Sequence, residues 1–202
     1  MTDHYEEPQS TDAEVIDEQE AEQPHRVSTA RQIIEFIATL AVAFLIAQVV
    51  RTYVVQPFMF PTGSMIPTIQ IGDQVLVNKF VYRFQQPARG DVVVLDDPTG
   101  EVPILIKRVI ATGGETVNLV GGKVLVNGKP LSESYTHGLP SAPLPGSMVM
   151  FPLKVPAGYV WVMGDNRTSS KDARWFGPVP MDKVHGRAFL TYWPIPRFGA
   201  LE

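Results

Sequence analysis

"ILIKRVIATGGETVNLVGGKVLVNGKPL", residues 104–131, decides the fold class. Three short runs rich in Val, Ile and Leu are separated by Gly113-Gly114 and Gly121-Gly122. Runs of this length and composition, bounded by glycine, read as strands. Asn127-Gly128 suits the two-residue turn of a hairpin, in which both central residues take positive φ. The same texture recurs in DQVLVNK (73–79), GDVVVL (90–95), YVWVMGD (159–165) and GRAFLTYW (186–193). No helical period of any length follows residue 52. The chain is therefore mainly β, with an antiparallel sheet or barrel-like domain over 53–202. Residues 130–156, rich in Pro, Ser and Gly, read as an insertion or long loop within it.

Upstream the texture changes. Residues 32–50, QIIEFIATLAVAFLIAQVV, form a nearly unbroken apolar run between Arg31 and Arg51. As a helix it is long enough for a hydrocarbon core of ~30 Å. Because it is apolar on every face, a membrane anchor over 31–52 fits better than an amphipathic core helix. A cleavable signal peptide fits less well, since no small-x-small site follows the run. Arg26 and Arg31 on one side against Arg51 on the other favour an N-terminus inside the cell, with the β domain outside the cytoplasm. Residues 1–25 carry nine Asp or Glu and no Lys or Arg. Such a segment reads as a disordered, solvated cytoplasmic tail over 1–30. The remainder holds 17 basic against 12 acidic residues, which suits work near anionic lipid.

Composition also narrows the function classes. A chain of 202 residues with 45% hydrophobic content forms one ordinary domain with something left over. With no cysteine, disulfides, zinc-thiolate sites and cysteine nucleophiles are excluded. His4, His25, His137 and His185 are scattered without metal-ligand spacing, so neither a metal nor a cofactor is expected. No nucleic-acid motif accompanies the mild positive charge, and GGETVNLVGG lacks the spacing of a phosphate loop.

Three clusters could carry chemistry. The first is Ser64, set in PTGSMIPT (61–68) between Pro61 and Pro67. As a turn it needs no function, but a serine with a base beside it is a nucleophile. His137 and His185 both sit in polar loops or turns and have no distinctive setting. The second cluster centres on Lys107, which is out of character in a strand-like apolar run. Alternation puts Leu105, Lys107 and Val109 on one face and Ile106, Arg108 and Ile110 on the other. Either Lys107 snorkels into water, or burial lowers its pKa and frees an amine to act as base. The third cluster, 162–180, packs Asp165, Arg167, Lys171, Asp172 and Arg174 around two serines. It is a polar loop with ion pairs or the support of a site.

Together the clusters resemble the bacterial type I signal peptidases, serine proteases that use a Ser–Lys dyad. PTGSMIPT is similar to the nucleophile motif, KRVIATGGE (107–115) to the general-base motif, and GDVVVL to the strand between them. GDNRTSSKDAR (164–174) resembles the supporting box, and GRAFLTYWPIPRFG (186–199) the closing strand. The resemblance covers roughly residues 32–200, with the motifs in the family's order.

The resemblance implies a membrane-anchored endopeptidase that removes signal peptides from exported pre-proteins. Ser64 is then the nucleophile and Lys107 the general base. The oxyanion is held by the Ser64 backbone N–H and the Thr62 hydroxyl, where many members have serine. Ser170 aligns with the serine that orients the lysine amine. Asp165 is expected to pair with Arg108, and Asp172 with Arg174. Thr168, Ser169 and Ala173 depart from common residues of the box. Small residues are favoured at −1 and −3 of the substrate, in shallow pockets that Phe60, Pro61, Met65, Ile69, Leu105 and Ile106 are expected to line. The substrate is expected to add as a strand beside 105–107. Phe58, Met59 and Phe60 are expected to dip into the bilayer surface.

Two rivals keep a different use for the same residues. One is a Ser–His protease using His137 or His185. The other is a non-catalytic, membrane-anchored β-module that binds exported chains or lipid. A self-cleaving repressor lacks a DNA-binding helix pair here and has an apolar span against it.

Overall fold

In a computed structural model, Thr2 and residues 29–201 are described. The nine acidic residues of the N-terminal segment, and Arg26, lie outside the described residues. The chain divides into two compact units, Met1–Val42 and Ala43–Glu202.

Helix α1 (Thr29–Tyr53) runs through the end of the first unit into the second. Its leucines, isoleucines and valines are exposed along its length, with Ile34, Phe36, Phe44 and Leu45 each more than half accessible. Thr29–Arg51 is long and apolar enough to cross a membrane. Among the described residues nothing packs against this helix, and insertion into a bilayer would remove its apolar surface from water.

The second unit is built on twelve strands: β1 (Val55–Met59), β2 (Gln74–Asn78), β3 (Val92–Asp96), β4 (Ile104–Thr112), β5 (Thr116–Val120), β6 (Lys123–Val126), β7 (Lys129–Pro130), β8 (Leu153–Lys154), β9 (Tyr159–Met163), β10 (Val179–Pro180), β11 (Val184–Trp193) and β12 (Gly199–Ala200). Every pairing is antiparallel. The larger sheet has the order β1-β2-β11-β3-β4-β9-β10, with β12 beside β11; the smaller is β7-β6-β5-β8. The runs read as strands in the sequence coincide with β2, β3, β4, β5, β6–β7, β9 and β11. β1 was not among them: Pro57 removes a ladder donor there, and the strand follows the apolar helix directly. It pairs with β2 from Val55↔Asn78 to Met59↔Gln74. In the β6–β7 hairpin, Asn127 and Gly128 have φ of 52° and 77°, the left-handed pair that the turn demands.

Two apolar clusters lie against the larger sheet. One gathers Val93, Leu95, Val109, Ile110, Trp161 and Met163 with residues of the smaller sheet; the other gathers Phe60, Met65, Ile69, Val75, Val94 and Ile106. Simple alternation along β4 fails beyond Arg108. Val109 and Ile110 share the first cluster because a bulge falls between Val109 and Ala111 where β4 pairs with β9.

The register of β4 determines where the chemistry sits. Against β3 it pairs along Asp96↔Ile104 to Val92↔Arg108. Against β9 the pairing starts only at Arg108↔Met163. Ile104–Lys107 therefore has a partner strand on one side and an open edge on the other.

The Pro130–Pro156 stretch forms the connection between β7 and β8. Its short turn at Ser134–Thr136 buries Thr136, and Phe151 meets the Trp161 ring edge-on at 5.6 Å. Ser147 Oγ donates to the Arg174 carbonyl at 2.6 Å, fastening this connection to the polar loop after β9.

Candidate active site

Ser64 opens a run of hydrogen-bonded turns over residues 64–68. The Ile66 N–H donates to the Gly63 carbonyl at 3.2 Å and the Ile69 N–H to the Met65 carbonyl at 2.9 Å. Met65 and Ile69 are 1% exposed and anchor this turn in the second apolar cluster, which leaves Ser64 at the rim, 8% exposed. Gly63 is not in the left-handed region. Its requirement is room: a Cβ there would meet Ile66 Cδ1 at 3.0 Å.

Lys107 Nζ donates to Ser64 Oγ at 2.8 Å and to the Ile106 carbonyl at 3.0 Å. Lys107 is 2% exposed, and its amine has no carboxylate within ion-pair distance among the described residues. Burial pushes its pKa down from the ordinary lysine value to about 8, against the opposing pull of Asp172, Asp97 and Asp165. A fraction of neutral amine therefore exists near pH 7, in hydrogen-bond contact with a serine hydroxyl. Neither candidate histidine bonds Ser64: His137 is exposed with φ of 50°, and His185 Nε2 lies 2.6 Å from Asp96 Oδ1.

The neighbouring Arg108 is treated differently. Its Nε and Nη2 donate to Asp165 Oδ1 and Oδ2 at 2.9 and 2.8 Å, a two-pronged pair with both side chains buried. Asp165 Oδ2 also accepts from Thr68 Oγ1 at 2.5 Å, tying the segment after Ser64 to the β9 loop. Asp172 pairs with Arg174 through 2.8 Å bonds to Nε and Nη2 and caps α2 (Ala173–Phe176); it also accepts the Gly164 N–H at 3.0 Å. Arg167 completes the network on Glu133 and Ser141 at 2.5 to 2.9 Å. The Tyr135 ring takes the Arg108 guanidinium at 4.1 Å and Arg167 at 5.8 Å. Buried guanidinium groups are tolerable only when paired and hydrogen-bonded in this way.

Several of these partners were not singled out from the sequence. Asn166 holds the serine segment twice, its backbone N–H donating to the Ser64 carbonyl and Nδ2 to the Gly63 carbonyl, both at 3.0 Å. Thr68, Glu133 and Tyr135 are likewise contributed from loops with no periodic pattern. The identity of their neighbours was the only available signal: Asn166 follows Asp165, and Thr68 closes PTGSMIPT.

Two donors beside Ser64 are free. Among the described residues neither the Ser64 backbone N–H nor the Thr62 hydroxyl has a hydrogen-bond partner, and Thr62 is exposed. Ser170 Oγ is buried and also lacks a partner, so no bond joins it to Lys107. Its oxygen lies against Gly164, where an added Cβ would come within 2.2 Å of it.

A cavity of about 210 Å³ adjoins the serine segment, lined by Met59, Phe60, Pro61, Thr62 and by Val102, Pro103, Ile104, Leu105 and Ile106. It lies between the 59–62 segment and the half of β4 that has an open edge. Of the residues expected to line substrate pockets, Phe60, Pro61, Leu105 and Ile106 border it. Met65 and Ile69 do not, because they are buried in the second apolar cluster. Phe60, at 5% exposed and stacked on Phe58 at 5.9 Å, is core rather than a lipid contact, whereas Met59 is 63% exposed.

Among the described residues no group of His, Asp and Glu is arranged to hold a metal ion. The family model described as "Signal peptidase, peptidase S26" matches residues 33–193. Signal peptidase I of Leptolyngbya laminosa is 39% identical over 177 residues, covering 84% of this chain and 84% of that protein. Signal peptidase I of Mycobacterium tuberculosis (strain H37Rv) is 35% identical, covering 89% of this chain and 78% of that one. The crystal structure of a signal peptidase I from Enterococcus faecalis matches with a TM-score of 0.45 and 30% identity, over 51% of this chain and 97% of that one. With its site bracketed by the matched residues, the chain belongs to the S26 signal peptidase family.

Proposed function

We propose that this protein is a membrane-anchored signal peptidase I that cuts exported pre-proteins with Ser64 as nucleophile and Lys107 as general base. The observation that carries the reading is the 2.8 Å contact between a buried lysine amine and a serine hydroxyl at the mouth of an apolar cavity, in a chain of this family.

Neutral Lys107 takes the Ser64 proton as Oγ attacks the scissile carbonyl, and the carbonyl π-bond electrons move onto its oxygen. On this reading the Ser64 N–H and the Thr62 hydroxyl, both without other partners among the described residues, receive that oxyanion. The intermediate collapses, the C–N bond breaks, and the ammonium of Lys107 returns the proton to the departing amine. A water then repeats the cycle on the acyl-enzyme, with Lys107 again as base, and releases the new carboxylate. Asp165, Arg108, Asp172 and Arg174 act as scaffold, and Ser170 sets the environment of the lysine without a direct bond.

The substrate adds along Ile104–Lys107, the half-strand with an open edge, and small side chains at −1 and −3 enter the 210 Å³ cavity. Helix α1 ends 11 residues before Ser64, which keeps the site near membrane-held substrates. The N-terminus is cytoplasmic and the β domain extracytoplasmic on this reading.

The test is incubation of the full chain with a pre-protein carrying an Ala-x-Ala site. Wild type cleaves it, while Ser64→Ala and Lys107→Met each lose at least about 10³-fold in kcat. Equal cleavage by all three proteins would sink the mechanism.

A further inference from the structure

The apolar stretch of α1 closes at Arg51. Its 23 residues rise ~34 Å as a helix, slightly more than the ~30 Å hydrocarbon core, so Arg51 falls at the level of the lipid head groups. The chain then doubles back. The Val54 carbonyl accepts the Lys79 N–H at 2.9 Å, next to the Val55↔Asn78 pairing. Lys79, at the far end of β2, is thereby fixed at the exit of the helix.

Gln48, Arg51, Gln56, Pro57 and Lys79 line a cavity of about 340 Å³ there. Lys79 Nζ donates to Gln56 Oε1 at 3.2 Å. Among the described residues neither Arg51 nor Lys79 has a carboxylate partner. This sets the place apart, because every described arginine except Arg51 and Arg83 pairs with Asp or Glu. Arg83 belongs to the turn that follows Lys79, with its guanidinium 5.6 Å from the Phe80 ring. Phe80 and Phe84 meet edge-on at 4.9 Å and are 39% and 76% exposed. Exposed phenylalanines beside cations suit shallow insertion into a membrane surface.

Two like charges facing one polar cavity repel unless an anion joins them. Arg51 offers a planar fork of N–H donors, Lys79 an ammonium, and Gln48 and Gln56 their amide N–H groups, a set matched to phosphate oxygens. We propose that this cavity binds the phosphate of an anionic phospholipid head group. The choice of lipid over free phosphate comes from the depth of Arg51 and from the Phe80–Phe84 pair. The proposal rests on α1 being a membrane span.

The full chain in detergent is titrated with a fluorescent short-chain phosphatidylglycerol and, separately, with its phosphatidylcholine counterpart. The wild type is expected to prefer phosphatidylglycerol about tenfold, and Arg51→Gln/Lys79→Gln to lose that preference. Lys79→Arg keeps it, and so does Lys123→Gln/Lys129→Gln, which removes two exposed charges from β6 and β7. Equal binding by the wild type and the Arg51/Lys79 variant, or equal loss in the Lys123/Lys129 variant, would overturn the proposal. Displacement of the lipid by an equal concentration of inorganic phosphate would overturn its lipid source. Unchanged cleavage of a soluble peptide shows that the variants are folded. Flotation of wild type with phosphatidylcholine vesicles reports the span by itself, so a failure of that reading is distinguished from a failure of the head-group site.

Discussion

Lys107 and Arg108 are adjacent, both cationic by nature and both buried, yet only Arg108 is given a carboxylate, through the two-pronged contact with Asp165. Arginine keeps its proton in any environment, so burying it requires a counter-charge. Lysine can surrender its proton, and burial without a paired carboxylate favours that loss.

The first prediction follows from that contrast. The proposed mechanism requires the neutral amine, so kcat/KM is expected to rise with pH through an ascending limb centred near the Lys107 value of about 8. The same shift governs stability. Between about 8 and the unfolded lysine value of 10.5, the unfolded chain binds more protons than the folded one, so folding stability rises with pH across that window. Below about 8 the penalty is constant. Lys107→Met removes it, and is expected to be inactive yet more stable at pH 7 by no more than about 3 kcal/mol, since the lost bonds to Ser64 and Ile106 offset part of the gain. Urea melts of both proteins at pH 7 and pH 10 measure this; a difference independent of pH counts against it.

Asp165→Ala tests the scaffold. It leaves Arg108 buried without its carboxylate and frees Thr68, and the expected cost is 3–5 kcal/mol. Because Thr68 lies four residues after the serine, kcat should fall more than KM changes. A loss below about 1 kcal/mol in denaturant melts would mean that water replaces the carboxylate.

Gly164→Ala is expected to abolish cleavage. The added methyl would come within 2.2 Å of Ser170 Oγ and 2.4 Å of the Ser64 carbonyl oxygen. A side chain can rotate away, but the Ser64 backbone cannot move without displacing the nucleophile. Gly164→Ala/Ser170→Gly therefore remains inactive, and recovery of wild-type rates by that double variant would place the constraint on Ser170 alone.

Val102→Ala addresses specificity. Val102 lines the 210 Å³ cavity and is 42% exposed, so trimming it enlarges the cavity at little cost to the fold. A pre-protein with Val at −3 is expected to gain about tenfold in kcat/KM relative to one with Ala, in line with ~1–3 kcal/mol per methylene. An unchanged ratio would remove Val102 from the pocket that reads this position.

The strands were legible because the period of apolar residues and the glycine punctuation agree, and the hairpin because Asn127-Gly128 leaves few alternatives. β1 was hidden by Pro57 and by its proximity to the apolar helix. The faces of β4 were legible only as far as Arg108, since a bulge shifts the period and leaves no mark on residue type. At the site, Ser64 and Lys107 stood out as a hydroxyl in a proline-flanked turn and a cation in an apolar run. Asn166, Glu133 and Tyr135 did not, because their roles depend on contacts between loops. Gly164 sat in a motif, but its reason, a backbone oxygen 2.4 Å from where a Cβ would be, exists only in three dimensions.

The half-paired strand β4 has a consequence for what the proposed enzyme can process. A helix spends its own amide groups internally and has none to offer along Ile104–Lys107, and a folded domain cannot be threaded there. Only a segment already unravelled for several residues on both sides of the cut can lie in place. On the proposed mode of strand addition the enzyme screens shape before it screens side chains, and an Ala-x-Ala triplet locked inside a finished protein is passed over.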